Sequence, residues 1–218
     1  MNAALPEVHI VSRFASPAPM PMALAFENGN LWIGSAKEWT FHGVRLSDQS
    51  VFASAKSPAK PYGSVLIDQT LRVIVGDDDD NRTIRSYVLR EAFSDDCLPC
   101  PRDTGNFLAY DGSALYVSQR YDQLLVRVDD RGCAVKTTPM PRQVVGITYV
   151  DTAFYLLTTD GNPADDDIRF ARMELTEAGP AITELAHVPF GARALTHDGT
   201  RFWTSWRENH TVVSFGQP

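Results

Sequence analysis

Two histidines in this 218-residue chain stand close to glutamates in sequence: Glu38 precedes His42, and Glu208 precedes His210. An imidazole with an ordinary pKa of about 6.5 gives and takes protons near neutral pH, and a carboxylate can orient it. His42, His210, Glu38 and Glu208 are therefore the candidate acid/base group. Arg120, Arg142, Arg193 and Arg207 accompany Trp39, Tyr62, Tyr121 and Trp206 in segments that read as loops. Guanidinium groups hold carboxylates or phosphates through paired hydrogen bonds, and aromatic faces stack on rings and sugars. Asn106 joins Trp39, Arg120, Tyr121, Arg142, Arg193 and Trp206 as a candidate substrate contact. The acidic runs Asp77 to Asp80 and Asp165 to Asp167, with Asp160, supply the oxygen ligands that Ca²⁺ or Mg²⁺ prefers. Asp77 and Asp160 are the candidate metal ligands, although neither run has the spacing of an EF-hand loop.

Each reading has a plainer competitor. Acidic loops are commonly just solvated, rim arginines commonly pair with nearby aspartates, and loop histidines commonly do nothing. Cys97 and Cys100 form a C-x-x-C, but Cys133 is the only other cysteine. A structural zinc site wants a second Cys or His pair, so a zinc site is disfavoured. No G-x-S-x-G, P-loop or dinucleotide fingerprint occurs, which argues against the familiar serine-hydrolase and nucleotide folds.

The elements that must position these residues repeat. PMALAFENGNLWIGS (Pro21 to Ser35) is echoed by the segments starting at Pro61, Thr104, Val144 and Pro189. Ala23, Gly63, Gly105, Gly146 and Gly191 mark equivalent points about 40 to 45 residues apart, a period typical of propeller blades. Each unit reads as four short strands, with a first turn carrying Asn28-Gly29, Asp68, Asp111-Gly112, Asp151 or Asp198-Gly199. Such residues tolerate the left-handed backbone of tight hairpins. Trp32, Tyr116, Tyr155 and Trp203 hold one equivalent place in the second strand, and Arg72 breaks that pattern. The last unit lacks a fourth strand, while Glu7 to Phe14 is a spare one. The spare strand is expected to complete the last blade and close the ring.

The prediction is a single all-β domain: a five-bladed β-propeller with almost no helix. Its blades are predicted at 21–60, 61–103, 104–143, 144–188 and 189–218 plus 7–14. A β-sandwich fits short strands with turns, but not the period. The pattern P-x-G-x-x-x-D-G-x-x-[LF]-[WY]-[VI] resembles the blade signature of NHL-type, YVTN-type and virginiamycin B lyase-like propellers, with SMP-30-like relatives. The resemblance implies a blade architecture that serves enzymes and binding scaffolds alike. It implies metal and acid/base chemistry at one end of the channel for some relatives, with no residue carried over.

A net charge of −7 disfavours nucleic acid and anionic membranes as partners. No signal-like start and no apolar run long enough to span a bilayer are visible, and three cysteines suit a reducing compartment; the expectation is cytoplasmic. The long, varied loops fall on one rim, made of the inter-blade loops and the loops between second and third strands. The expectation there is an enzyme of lyase, isomerase, cyclase or lactone-hydrolase type acting on a small molecule. The alternative is a non-catalytic module binding a sugar, a peptide or a partner protein.

Overall fold

The computed structural model describes residues 5–77, 81–161 and 167–216. A first strand, β1 (Ile10–Ala15), precedes four complete blades. Blade 1 holds β2 (Pro21–Glu27), β3 (Asn30–Ser35), β4 (Thr40–Arg45) and β5 (Val51–Lys56). Blade 2 holds β6 (Pro61–Ile67), β7 (Thr70–Val75), β8 (Thr83–Val88) and β9 (Phe93–Pro99). Blade 3 holds β10 (Phe107–Tyr110), β11 (Leu115–Gln119), β12 (Leu124–Val128) and β13 (Ala134–Pro139). Blade 4 holds β14 (Gln143–Val150), β15 (Ala153–Thr159), β16 (Ile168–Thr176) and β17 (Gly179–Val188). Blade 5 holds β18 (Ala192–His197), β19 (Phe202–Trp206) and β20 (Thr211–Phe215). All neighbouring strands within a blade are antiparallel, and the first strand of each blade lies innermost. The chain is a five-bladed β-propeller.

The ring closes as the sequence predicts, with β1 outermost in the order β1-β20-β19-β18. The strand begins at Ile10 rather than Glu7, because the segment before it does something else. Glu7 bridges in parallel to His187 on β17, Val8 N donates to His187 O at 2.9 Å, and Val8 is buried. The N-terminus thus ties blade 5 to blade 4 as well as completing blade 5.

The hairpin turns use the left-handed backbone their sequences allow: Asn28 (φ 44°), Asp68 (φ 54°) and Asp151 (φ 55°) are examples. The equivalent second-strand aromatics have a shared use. Trp32 Nε1 donates to Glu27 Oε2 (3.0 Å), Tyr116 OH to Asp111 Oδ2 (2.9 Å) and Trp203 Nε1 to Asp198 Oδ2 (2.8 Å). The hydrogen bond lets an aromatic body enter the core while its polar tip is satisfied. The rings reach the next blade: Trp32 meets Tyr87, Tyr116 meets Phe154 and Tyr155 meets Phe202, with centroids 5.6, 4.8 and 4.8 Å apart.

Two of the small residues at the repeat points, Gly63 and Gly146, let inner strands meet backbone to backbone. A Cβ on Gly63 would lie 2.6 Å from Asn106 O and Phe107 Cα, and one on Gly146 would lie 2.8 Å from the Ala194 carbonyl carbon. Blades 2 and 3, and blades 4 and 5, are thereby drawn together about the axis. The upper ends of the inner strands then crowd a few side chains into one mouth.

Candidate functional site

The upper mouth is built around Arg193. It is the second residue of inner strand β18, immediately before Ala194, a buried alanine held at φ 56°. The pairing of β18 with β19 slips between Arg193 and Thr196, so this is a bulge of the kind that re-aims a side chain. Hydroxyls hold it: Thr204 Oγ1 donates to Arg193 O (3.0 Å) and Ala194 O (2.9 Å), and Ser205 Oγ donates to Arg193 O (2.8 Å). Gly146 of blade 4 leaves the space that the bulge occupies.

Arg193 is 4% exposed, yet its guanidinium makes one hydrogen bond, from Nη1 to Ala192 O at 2.8 Å. No carboxylate among the described residues lies within ion-pair distance of it. Burial, then the Arg120 guanidinium, pull its pKa down to about 10; Glu208 opposes them. At neutral pH it remains a cation. Arg120 belongs to blade 3, and its Nε donates to Gln143 Oε1 of blade 4 at 2.9 Å. Arg120 is in electrostatic reach of Arg193 although their blades are not neighbours. Tyr121 and Arg207 are also in electrostatic reach of Arg193. Tyr121 is 65% exposed and carries the Arg120 guanidinium 5.0 Å from its ring centroid.

Asn106 fixes the Arg120 loop, its Oδ1 accepting from Arg120 N at 2.9 Å. A small cavity of about 50 Å³ beside it is lined by Arg82, Thr104, Gln119 and Asp122 as well. Gln119 Oε1 and Thr104 Oγ1 are buried with no hydrogen-bond partner among the described residues. Arg82 donates from Nη1 to Gly105 O (2.5 Å) and stacks 3.7 Å over Tyr62. Arg82, Thr104, Gln119 and Gln143 carry no sequence signal for this role. Arg82 reads as the tail of an acidic loop, and the others read as ordinary strand ends.

Several expected contacts lie elsewhere. His42 and His210 do not pair. The turn after β3 is short, so β4 starts at Thr40 and His42 sits within it, opposite Ser54 of outer strand β5. His42 Nδ1 bonds Ser54 Oγ (2.8 Å) and Nε2 bonds Thr40 Oγ1 (3.1 Å); burial lowers its pKa against a raising effect of Glu38. His210 Nδ1 accepts from Met20 N at 3.1 Å and tethers the loop entering blade 1. Glu208, exposed on the loop before His210, is the acid/base candidate that stays with Arg193. Trp39 lies at φ 55° in the blade 1 turn, and Trp206 stacks on Phe190 with centroids 5.1 Å apart.

Arg142 is fully engaged. Its Nε lies 3.0 Å from Asp160 Oδ1, at an angle that makes an ion pair rather than a hydrogen bond. Its other nitrogens reach Asp167 Oδ2 (3.1 Å) and Glu184 Oε1 (2.9 Å). The expected metal ligands do not converge. Asp160 already faces a guanidinium, and Asp77 is exposed on the loop of blade 2. Asp78 to Asp80, Asp165 and Asp166 lie outside the described residues. Among the described residues no group of three His, Cys, Asp or Glu side chains is placed to hold an ion. Cys100 is buried, which pushes its thiol up to about 12, while Cys97 and Cys133 are exposed. No helix among the described residues is long and apolar enough to cross a membrane.

No family model and no curated sequence matches the chain. Solved structures do. A Myxococcus xanthus glutaminyl cyclase superposes with a TM-score of 0.71 at 10% identity, covering 97% of both chains. A calcium-binding protein, regucalcin, from Agrobacterium tumefaciens gives 0.60 at 11% identity, covering 99% of this chain and 96% of that one. A Staphylococcus aureus virginiamycin B lyase with quinupristin gives 0.56 at 14% identity, covering 94% and 98%. The likeness is one of fold.

Proposed function

We propose that the upper mouth binds a small molecule through an anionic group, and that the chain is an enzyme of the lyase, isomerase, cyclase or lactone-hydrolase type. The observation that carries the binding half is Arg193. A guanidinium buried to this degree, in reach of a second guanidinium and with no ion-pair partner among the described residues, is costly. A carboxylate or phosphate beside Arg193 offsets that cost and accepts hydrogen bonds from its guanidinium. Arg193 and Arg120 hold the anion, Tyr121 offers a stacking face, and Glu208 is the group placed to move a proton. The fold neighbours, a cyclase and a lyase among them, support an enzymatic reading without choosing the reaction.

The reading does not use a metal. One neighbour is described as calcium-binding, but Asp160 is occupied by Arg142 and Asp77 stands in another blade, so the two do not fit one cation. A non-catalytic binding module would share the same anion contacts and lack turnover.

Calorimetric titration with inorganic phosphate and with acetate tests the proposal. Arg193→Met should weaken the anion by about tenfold or more, since a buried charge-assisted contact is removed. Unchanged binding in Arg193→Met overturns the site. Once a substrate is found, Glu208→Gln should abolish turnover while anion binding persists. Loss of both together would reduce Glu208 to a structural role.

A further inference from the structure

The blade 2 to blade 3 interface departs from its neighbours, and the departure is written in one residue. Arg72 of β7 takes the place filled by Trp32, Tyr116, Tyr155 and Trp203 in the other blades. The partner changes with it. Where blades 1, 3 and 5 set Glu27, Asp111 and Asp198 five residues earlier to receive the aromatic's hydrogen bond, blade 2 has Ile67. The facing residue changes too. Blades 4 and 5 offer Phe154 and Phe202 to the incoming ring, whereas blade 3 offers Leu115. No aromatic pair therefore fills this junction among the described residues.

What remains is a groove of about 370 Å³, within the range of small-molecule pockets. Its floor is apolar: Ile67, Leu98, Leu115 and Val128, with Val135 60% exposed at the edge. Two guanidiniums, Arg72 and Arg127, line the same groove. Arg72 Nη1 donates to Ser86 Oγ, and neither arginine has an ion pair with a described residue. Asp129 and Asp130 also border it. The Oδ1 of Asp129 is taken by the backbone N–H groups of Arg131 and Cys133, closing the β12–β13 turn. Asp130 is exposed. The junction lacks the second-strand ring of its neighbours, has Tyr110 of β10 at its border, and holds two cations where those neighbours hold a carboxylate.

We propose that this groove binds a small aromatic carboxylate, whose ring takes the place of the absent second-strand aromatic and whose anionic group meets Arg72 and Arg127. A guanidinium both stacks on an aromatic face and pairs with a carboxylate, so one residue type serves both ends of such a ligand. The site lies at the opposite end of the blades from Arg193 and is independent of the function proposed there.

Titration with 2-naphthoate, followed by ligand fluorescence, tests it. Acetate supplies the anion without the ring, and naphthalene-2-carboxamide supplies the ring without the charge. Each should bind about tenfold more weakly than naphthoate. Arg72→Tyr rebuilds the blade 4 arrangement, where Tyr155 stands five residues after Val150, and should reduce naphthoate binding about tenfold or more while the fold is kept. If that variant melts early, Arg127→Glu, an exposed charge reversal, should give the same loss. Arg193→Met removes the carboxylate contact proposed at the upper mouth, so in that background one naphthoate site should remain and should be lost with either groove variant. No binding at millimolar naphthoate in Arg193→Met, or full binding there with both groove variants, overturns the proposal.

Discussion

Blades 4 and 5 are adjacent copies of one unit, and each places an arginine at the upper rim. Their surroundings are opposite. Arg142, at the entry to blade 4, sits among Asp160, Asp167 and Glu184. Arg193, at the start of blade 5's inner strand, has a second cation near it and one backbone carbonyl as acceptor. The lower turns differ as well. Blade 5 ties Trp203 to Asp198, while blade 4 has Val150 at the equivalent place. The comparison teaches that residue type and rim position do not define an anion site. What defines it is whether the protein has already supplied the counter-charge. Arg142 holds the rim together, and Arg193 is held by the rim.

The largest expected effect tests whether Gly146 creates that difference. A valine there would drive its Cβ into the Ala194 backbone, against which no side-chain rotation can relieve it. Overpacking backbone at a closed ring should cost about 3 kcal/mol or more. Chemical denaturation should show the loss. Anion binding at Arg193 should fall in the surviving folded protein, because the bulge that aims the guanidinium moves. Retained binding with only lowered stability would show that the bulge does not aim Arg193.

The next effect is a difference of sign. Removing Arg142 leaves three carboxylates facing one another. Their exposure of 40% to 68% lets water screen them, so Arg142→Met should destabilise by about 1 to 2 kcal/mol. Removing Arg193 deletes a desolvated charge beside Arg120. Arg193→Met should therefore raise stability by about 1 kcal/mol while removing the ligand. Melting temperatures of the two variants, measured without added anions, decide the matter. Shifts of the same sign would break the comparison.

The sequence carries the fold almost completely because the fold is a repeat. The small residues from Ala23 to Gly191 recur with the period, and the turn residues answer a local steric demand that is legible in a single chain. Ring closure was readable for the same reason, from a missing strand and a spare one. The parallel bridge of Glu7 to His187 was not, because one short contact leaves no pattern. The site is legible only as an address. Arg120 and Tyr121 are in electrostatic reach of Arg193 and Asn106 holds the Arg120 loop, while His42 turns to the outer strand Ser54 and Arg142 to its carboxylates. Where Arg193 points depends on the bulge at Ala194 and on the hydroxyls of Thr204 and Ser205 that hold it, which the repeat does not encode. Arg72 shows the converse, since a single break in the period locates a groove.

The smallest effect tests the lower turns of the same two blades. Burial pushes the Asp198 carboxyl up, but hydrogen bonds from Trp203 Nε1, from Thr200 and from the Arg201 N–H outweigh it and hold the pKa at about 2. A carboxyl whose folded pKa lies below its ordinary 3.8 stabilises the fold above that value. Its contribution is lost as the pH falls from about 4 through 2, because the unfolded chain takes up the proton first. The side chain is 6% exposed, so little of the effect is screened, and the full contribution is about 2 kcal/mol. Denaturation midpoints of the wild type should fall across that window. Asp198→Asn should start lower at neutral pH and show a flatter acid limb, since the variant has no proton to gain there. The corresponding change in blade 4, Val150→Ala, should lower stability equally at pH 7 and pH 3. Equal acid sensitivity in wild type and Asp198→Asn would mean that the Trp203 pairing is a packing contact whose charge does not matter.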